Sequence, residues 1–332
     1  MNKEFVIFAP VMTDIIQKSK EQIQQAHTLV MVDHQPDADY KMSHSLQPYF
    51  HNTMIDIFNE HDIDYQNKTM SLQHYMFYED FNHVVINMER NWFLYCCRQF
   101  LKHMPTWSQI PQDSIEYNLN YPAGVKDRPH RSITAMILAN IETNIRHSYS
   151  GHLPIDICKA LLDDCDYNFD YELRLPKKYF PLDSNVDEQI FSSTTYENIY
   201  KHTALSIIPE TNFRERGFGP TEKTLQAIYA GTFMIWVGSW RSAEIVEKIG
   251  FDVFHDVIDH SYQYIEHPGQ RVAEALLRNQ DLIVDIEKQR ELKIKHHQRL
   301  QNNLNLSRNI DQLISNITKL QGEVNDRSNQ RT

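Results

Sequence analysis

ALSIIPE (204–210) and GTFMIWVG (231–238) are two apolar runs with almost no polar interruption. Residues apolar at every position, rather than every second one, mark strands buried on both faces. Between them Pro220-Thr221-Glu222-Lys223 opens a helix: proline suits the first turn and threonine caps it. A strand, a helix and a strand in succession form a parallel βαβ unit, because parallel strands need a crossover between them.

The same alternation runs through most of the chain. Strands are expected at 4–10, 28–33, 83–88, 114–121 and 171–176, and helices at 14–26, 54–65, 92–104, 132–142 and 242–250. Residues 105–114 carry two prolines and no periodicity, and read as a linker. The 332-residue chain is therefore an α/β protein of two Rossmann-like halves, 1–108 and 109–290, with a helical tail over 291–332. In the tail Leu306, Ile310, Leu313, Ile317, Leu320 and Val324 keep a 4-3 spacing, one apolar face of a helix. That face suits either packing back across both halves or a homodimer seam through 306–324.

Charge and cysteine usage exclude several classes. A net charge of −11 disfavours a general nucleic-acid binder, which needs cations along its surface. The distribution is uneven, since 291–332 holds 7 basic and 4 acidic residues, +3, leaving −14 on the rest. A local basic groove thus stays open. Cys96, Cys97, Cys158 and Cys165 show neither a disulfide framework nor zinc spacing and suit a reducing cytoplasm. No window has the ~20 apolar residues of a membrane span. With 9 glycines the chain has no dinucleotide or P-loop fingerprint.

Two strand–loop–helix corners could carry chemistry. The first runs from Glu210, at the end of its strand, through NFRERGFGP to Thr221, Glu222 and Lys223. A helix N-terminus repels a lysine unless an anion is present. A diphosphate there would meet backbone N–H groups, the dipole and Lys223 together, while Glu222 could accept ribose hydroxyls. The plain alternative has Glu222 capping the helix and Lys223 on the surface. The second corner is NYPAGVKDRPHRSITAMILAN (120–140), where Arg128, His130 and Arg131 lead into a helix and suit phosphate contact.

HTALSIIPETNFRERGFGPTEKTLQAIYAGTFMIWVG, followed by IGFDVFHDVIDHSY, resembles the donor half of GT-B glycosyltransferases of the α1,3-fucosyltransferase type. It is similar also to short transferases of phages and bacteria. The resemblance covers roughly 115–300 and implies a nucleotide-sugar donor, GDP-sugar by default, and inverting, metal-independent transfer with no further cofactor. It implies that Lys223 and Arg131 hold the diphosphate, Glu222 the ribose, and Glu210 the sugar or the loop, with Thr221 at the helix start. The RERGFG segment departs from the family's small, apolar loop, while Arg214 and Arg216 within it read better as solvated.

An inverting transferase needs a carboxylate to take the acceptor's proton. Asp33 and Glu89, at strand ends in the first half, are the candidate bases. Asp37 and Asp39 spell D-x-D, a pattern that can hold Mn²⁺, but so do Asp164 and Asp166, and chance accounts for such triplets in a chain with 44 acids. The acceptor would be a glycan, a lipid-linked sugar or a modified nucleobase, the last as in phage DNA glycosyltransferases. A transferase-like assembly module without activity is the remaining alternative.

Overall fold

The computed structural model describes residues 4–9, 13–33, 54–72, 76–78, 81, 83–103, 115–123, 129–141, 143–147, 158, 162, 200–210, 216–238 and 240–329. It is a mixed α/β protein with two four-stranded sheets and a helical C-terminal region. The first half contributes β1 (Glu4–Ala9), α1 (Thr13–Gln25), β2 (Thr28–Asp33), α2 (Met54–Glu60), β3 (Thr69–Leu72), β4 (Phe77–Tyr78), β5 (His83–Ile86) and α3 (Trp92–His103). Its sheet has the order β1-β2-β3-β5, and all three pairings are parallel.

The second half holds β6 (Leu119–Tyr121), α4 (Pro129–Ala139), β7 (Ile145–His147), β8 (Leu205–Pro209), β9 (Gly217–Phe218), α5 (Glu222–Ala230), β10 (Phe233–Val237) and α6 (Ser242–Lys248). Its sheet, again parallel, has the order β10-β8-β6-β7. The fully buried runs of β8 and β10 lie side by side, as the βαβ reading requires. Successive residues of β10 face two different cores: Met234 and Trp236 one, Phe233, Ile235 and Val237 the other. Helices thus cover both faces of this sheet.

The C-terminal run comprises a 3-10 turn at Ser261–Tyr264, α7 (Pro268–Leu277), α8 (Gln280–Val284), α9 (Ile286–Lys295), α10 (His297–Ser307) and α11 (Ile310–Asn329). On α11, Leu313, Ile317, Leu320 and Val324 are buried in the core that contains β3, β5, α3 and α5. The apolar face read from the tail is therefore covered by the chain's own two halves, and a homodimer seam would have to uncover it.

The same helix treats the exposed edge of the first sheet. Gln321 Oε1 accepts from the Ile86 N–H at 2.8 Å, Asn325 Oδ1 accepts from the Val84 N–H at 3.0 Å, and Asn325 Nδ2 donates to the Val84 carbonyl at 3.1 Å. Side-chain amides here replace the missing fifth strand, which keeps β5 from pairing with another chain.

Several local expectations shift. The helix expected at 132–142 runs over Pro129–Ala139, so Arg131 lies in its first turn; Pro129 fixes the start earlier than periodicity shows. The strand expected at 114–121 keeps ladder pairing only over Leu119–Tyr121, with a single bridge from Tyr117 to Thr203. The helix expected at 54–65 ends at Glu60, before Asp62 takes a left-handed φ of 52°. The strand expected at 171–176 and the linker boundary at 108/109 lie outside the described residues. No described helix is long and apolar enough to cross a membrane.

Candidate functional site at the switch point of the second sheet

Strand order fixes where a ligand can enter. From β6 the chain passes through α4 to β7 on one side; it returns as β8 on the other side of β6 and moves outward through α5 to β10. Helix α4 packs Ile133 and Ile137 into one core, and α5 packs Leu225 and Ile228 into the other. The helices that follow adjacent strands β6 and β8 therefore leave toward opposite faces. Open α/β sheets bind ligands in the crevice outside the carboxyl ends of two such strands. His130 and Arg131 stand in the first turn on one side, and Thr221, Glu222 and Lys223 on the other.

Glu210, the residue after β8, braces the second helix start. One carboxylate oxygen accepts from the Thr221 N–H at 3.0 Å and from the Thr224 hydroxyl at 2.6 Å; the other accepts from the Thr221 hydroxyl at 2.5 Å. Thr221 in turn caps the helix, its oxygen 3.3 Å from the Lys223 N–H. Burial pushes the Glu210 carboxyl above its ordinary value, and the charge of Lys223 and the threonine bonds offset this only in part. A buried acid so tightly bonded is a positioning group that sets the position of Thr221.

Lys223 points its ammonium at Glu222, with Nζ 2.6 Å from Oε1. The other Glu222 oxygen accepts from the Trp92 indole N–H at 3.1 Å. Burial would raise the Glu222 carboxyl, but Lys223 and Trp92 overcome it and hold it at about 2. A lysine in the first turn is thus tolerated because the neighbouring carboxylate is its anion. Both charges are only about 13% exposed, 14% for Lys223 and 12% for Glu222, so the pair lies in a setting where a second anion would be strongly felt. Trp92 belongs to the first half, which brings that half to the rim of the crevice. The antiparallel pairing of β4 with β9 does the same from another strand end. The carboxyl edges of the two sheets therefore face each other.

The opposite wall is built from buried basic groups. His130 Nε2 lies 2.7 Å from the Glu210 carbonyl, and Tyr121 donates its hydroxyl to the Arg131 carbonyl at 2.7 Å. Gly238 ends β10 with φ +92°, and a Cβ there would stand 3.0 Å from the His130 ring. Only glycine satisfies both the conformation and the close approach. Arg271 of α7, which sequence reading did not single out, donates to the Gly238 carbonyl at 3.0 Å and to those of Ile265 at 2.6 Å and Glu266 at 3.2 Å. Burial lowers its guanidinium to about 9. Pro268 at the start of α7 and the apolar Val272 and Leu276 were the signal that could have found this helix.

Arg216 is not the solvated residue expected. It is half-buried with its guanidinium 5.2 Å from the centre of the Trp240 ring, and Arg271 lies 5.5 Å from the same ring. Of the candidate bases, Asp33 ends β2 at the carboxyl edge of the first sheet, and Glu89 is exposed in the turn between β5 and α3. Arg128, Arg214 and the D-x-D pairs Asp37/Asp39 and Asp164/Asp166 lie outside the described residues. Among the described residues no three His, Cys, Asp or Glu side chains converge as metal ligands.

No family model matches the chain, and no curated protein matches it. One solved structure is similar: that of the DNA-modifying enzyme β-glucosyltransferase, determined with and without its substrate uridine diphosphoglucose. It shares 10% identity, over 89% of this chain and 83% of that one, with a TM-score of 0.36, and no residue here takes a role from it.

Proposed function

We propose that the protein is a nucleotide-sugar-dependent glycosyltransferase whose donor binds in the crevice between α4 and α5. The observation that carries this reading is the pairing of two helix N-termini across a switch point, one bearing His130 and Arg131, the other Thr221, Glu222 and Lys223. Backbone N–H groups, both dipoles and two cations favour a diphosphate there. Glu222 takes the ribose hydroxyls, exchanging the Trp92 indole for the sugar, and Glu210 keeps Thr221 in place. The resemblance of the T-E-K stretch favours a GDP-sugar.

The acceptor approaches from the first sheet, whose carboxyl edge faces the crevice. Its hydroxyl oxygen forms the new bond to the anomeric carbon as the bond from that carbon to the diphosphate breaks. The proton passes to a carboxylate, Asp33 or Glu89, and the diphosphate leaves with its charge stabilised by Lys223 and Arg131. Displacement of this kind inverts the anomeric centre.

A thermal-shift series with GDP, UDP, CMP and dTDP, with and without Mn²⁺, tests the reading. A nucleotide at ~100 times its dissociation constant adds about 2.7 kcal/mol of stability. One diphosphate nucleotide should shift the wild type without metal and lose its shift in Lys223→Ala. A shift that persists unchanged in that variant would count against the site.

A further inference from the structure

Helix α3 carries a surface that the donor reading does not use. Its sequence, WFLYCCRQFLKH, holds no acid. At 100° per residue Trp92, Tyr95, Arg98, Gln99 and Lys102 fall within about a third of its circumference. Tyr95, Arg98 and Lys102 are exposed, Trp92 and Gln99 half-buried, and the remaining side chains from 93 to 100 are buried. Among the described residues neither the Arg98 nor the Lys102 side chain makes an ion pair or hydrogen bond. The exposed Arg278 is paired with an acid, whereas the exposed Lys288, Lys295 and Lys319 are, among the described residues, as unpaired as Arg98 and Lys102. What sets Arg98 and Lys102 apart is their place, in line with an aromatic pair on a helix that holds no acid.

The stripe has a direction. It starts at Trp92, whose indole N–H is bonded to Glu222 and whose ring stacks on Tyr95 with centroids 5.3 Å apart and planes 27° apart. Glu89 and Arg90, both exposed, precede it. An aromatic pair at the reaction end, then cations along one helix face, fits a polymer with flat rings and regularly spaced negative charges. Neutral glycans would use the rings but leave Arg98 and Lys102 unmatched; a nucleic-acid strand uses both, stacking a base and neutralising phosphates.

We infer that the outer face of α3, through Trp92, Tyr95, Arg98 and Lys102, docks a nucleic-acid strand as the acceptor, with a base held at Trp92–Tyr95 beside the donor crevice. The assignment of that strand as acceptor rests on the donor reading above; the docking surface itself does not. Glu89 lies where the stripe begins, which gives this candidate base an acceptor to act on.

The test is the fluorescence anisotropy of a labelled 20-nucleotide single-stranded DNA, titrated with the full chain between 50 and 200 mM salt. Each phosphate neutralised contributes about 0.7 to the slope of log affinity against log salt. Arg98→Gln/Lys102→Gln should lower that slope by roughly 1.4, and Tyr95→Ala should weaken binding roughly tenfold, within the range of one lost base stack. Lys288→Gln/Lys319→Gln removes the same charge from exposed positions elsewhere and should leave the slope unchanged.

No binding by the wild type at 50 mM salt would overturn the inference. Equal loss in the control pair, or equal competition by a sulfated polysaccharide of matched charge, would overturn it too. Nucleoside-diphosphate binding, followed by thermal shift, should be the same in Arg98→Gln/Lys102→Gln as in wild type. If a diphosphate binds and DNA does not, the acceptor surface fails alone. If DNA binds through α3 and no diphosphate binds, the donor reading fails and the surface stands.

Discussion

Thr224→Val isolates the Glu210 brace with little change of shape. The Thr224 hydroxyl is fully buried, donates to Glu210 at 2.6 Å and accepts from the Trp236 indole N–H at 2.9 Å. Valine keeps the volume and removes both bonds. A hydrogen bond to a charged group contributes about 1.5–3 kcal/mol, and a buried donor left without its acceptor costs about 1–3 kcal/mol. The loss should therefore be about 4 kcal/mol, read as a lower urea midpoint with unchanged slope. At about 2.1 cal/mol/K of unfolding entropy per residue, the melting temperature should fall by roughly 6 °C. Glu210→Gln combined with Thr224→Val should show coupling of at least about 1 kcal/mol, since the two groups touch. A loss below ~1 kcal/mol, with no coupling, would refute the claim that Glu210 is held by these hydroxyls and sets the helix start.

Three further outcomes follow from separate parts of the molecule. Gly238→Ala must place a Cβ 3.0 Å from the His130 ring at φ +92°, and should cost about 1–3 kcal/mol in urea unfolding and abolish the nucleotide-induced shift. Lys293, buried beneath α5 with Nζ 3.3 Å from the Thr203 carbonyl and 3.5 Å from that of Ala230, is lowered by burial to about 7. Its unfolded value is higher, so between about pH 7 and 10.5 the unfolded chain binds the extra proton; stability at that site should rise with pH by a few kcal/mol, and Lys293→Met should flatten the rise. Gln321→Ala/Asn325→Ala uncovers the Val84 and Ile86 backbone on β5, and light scattering at constant concentration should show faster aggregation than for a Lys319→Ala control.

What the sequence shows clearly is what local chemistry dictates. The βαβ unit around α5 could be read because its strands are apolar along their length and its helix opens with Pro220 and the Thr221 cap; the Gly231 cap at its far end appears in the structure. β3 and β7, four and three residues long, carry too little pattern to stand out, and β4 and β9 exist only through their pairing with each other. The apolar stripe of α11 was visible, but its destination was not: nothing in 306–324 says that it covers β5 and α3 rather than a second copy.

The site divides along the same line. Strand order brings Arg131, Glu210, Thr221, Glu222 and Lys223 to the carboxyl ends of adjacent strands β6 and β8, which local pattern suggests through the helix starts. The bonds that define their states are long-range. Trp92 reaches Glu222 across 130 residues, and Arg271 reaches Gly238 across 33. The plain alternative had Glu222 capping the helix and Lys223 on the surface; instead Thr221 is the cap, and Lys223 is paired with Glu222, both largely buried.

A crystal structure of the protein with the diphosphate nucleotide that gives the largest thermal shift would decide where the donor binds. The diphosphate should lie between the first turns of α4 and α5, touching Arg131 and Lys223, with Glu222 turned from Trp92 to the ribose. Nucleotide bound at any other place on the chain, or no bound nucleotide with Glu222 still on Trp92, would contradict that placement.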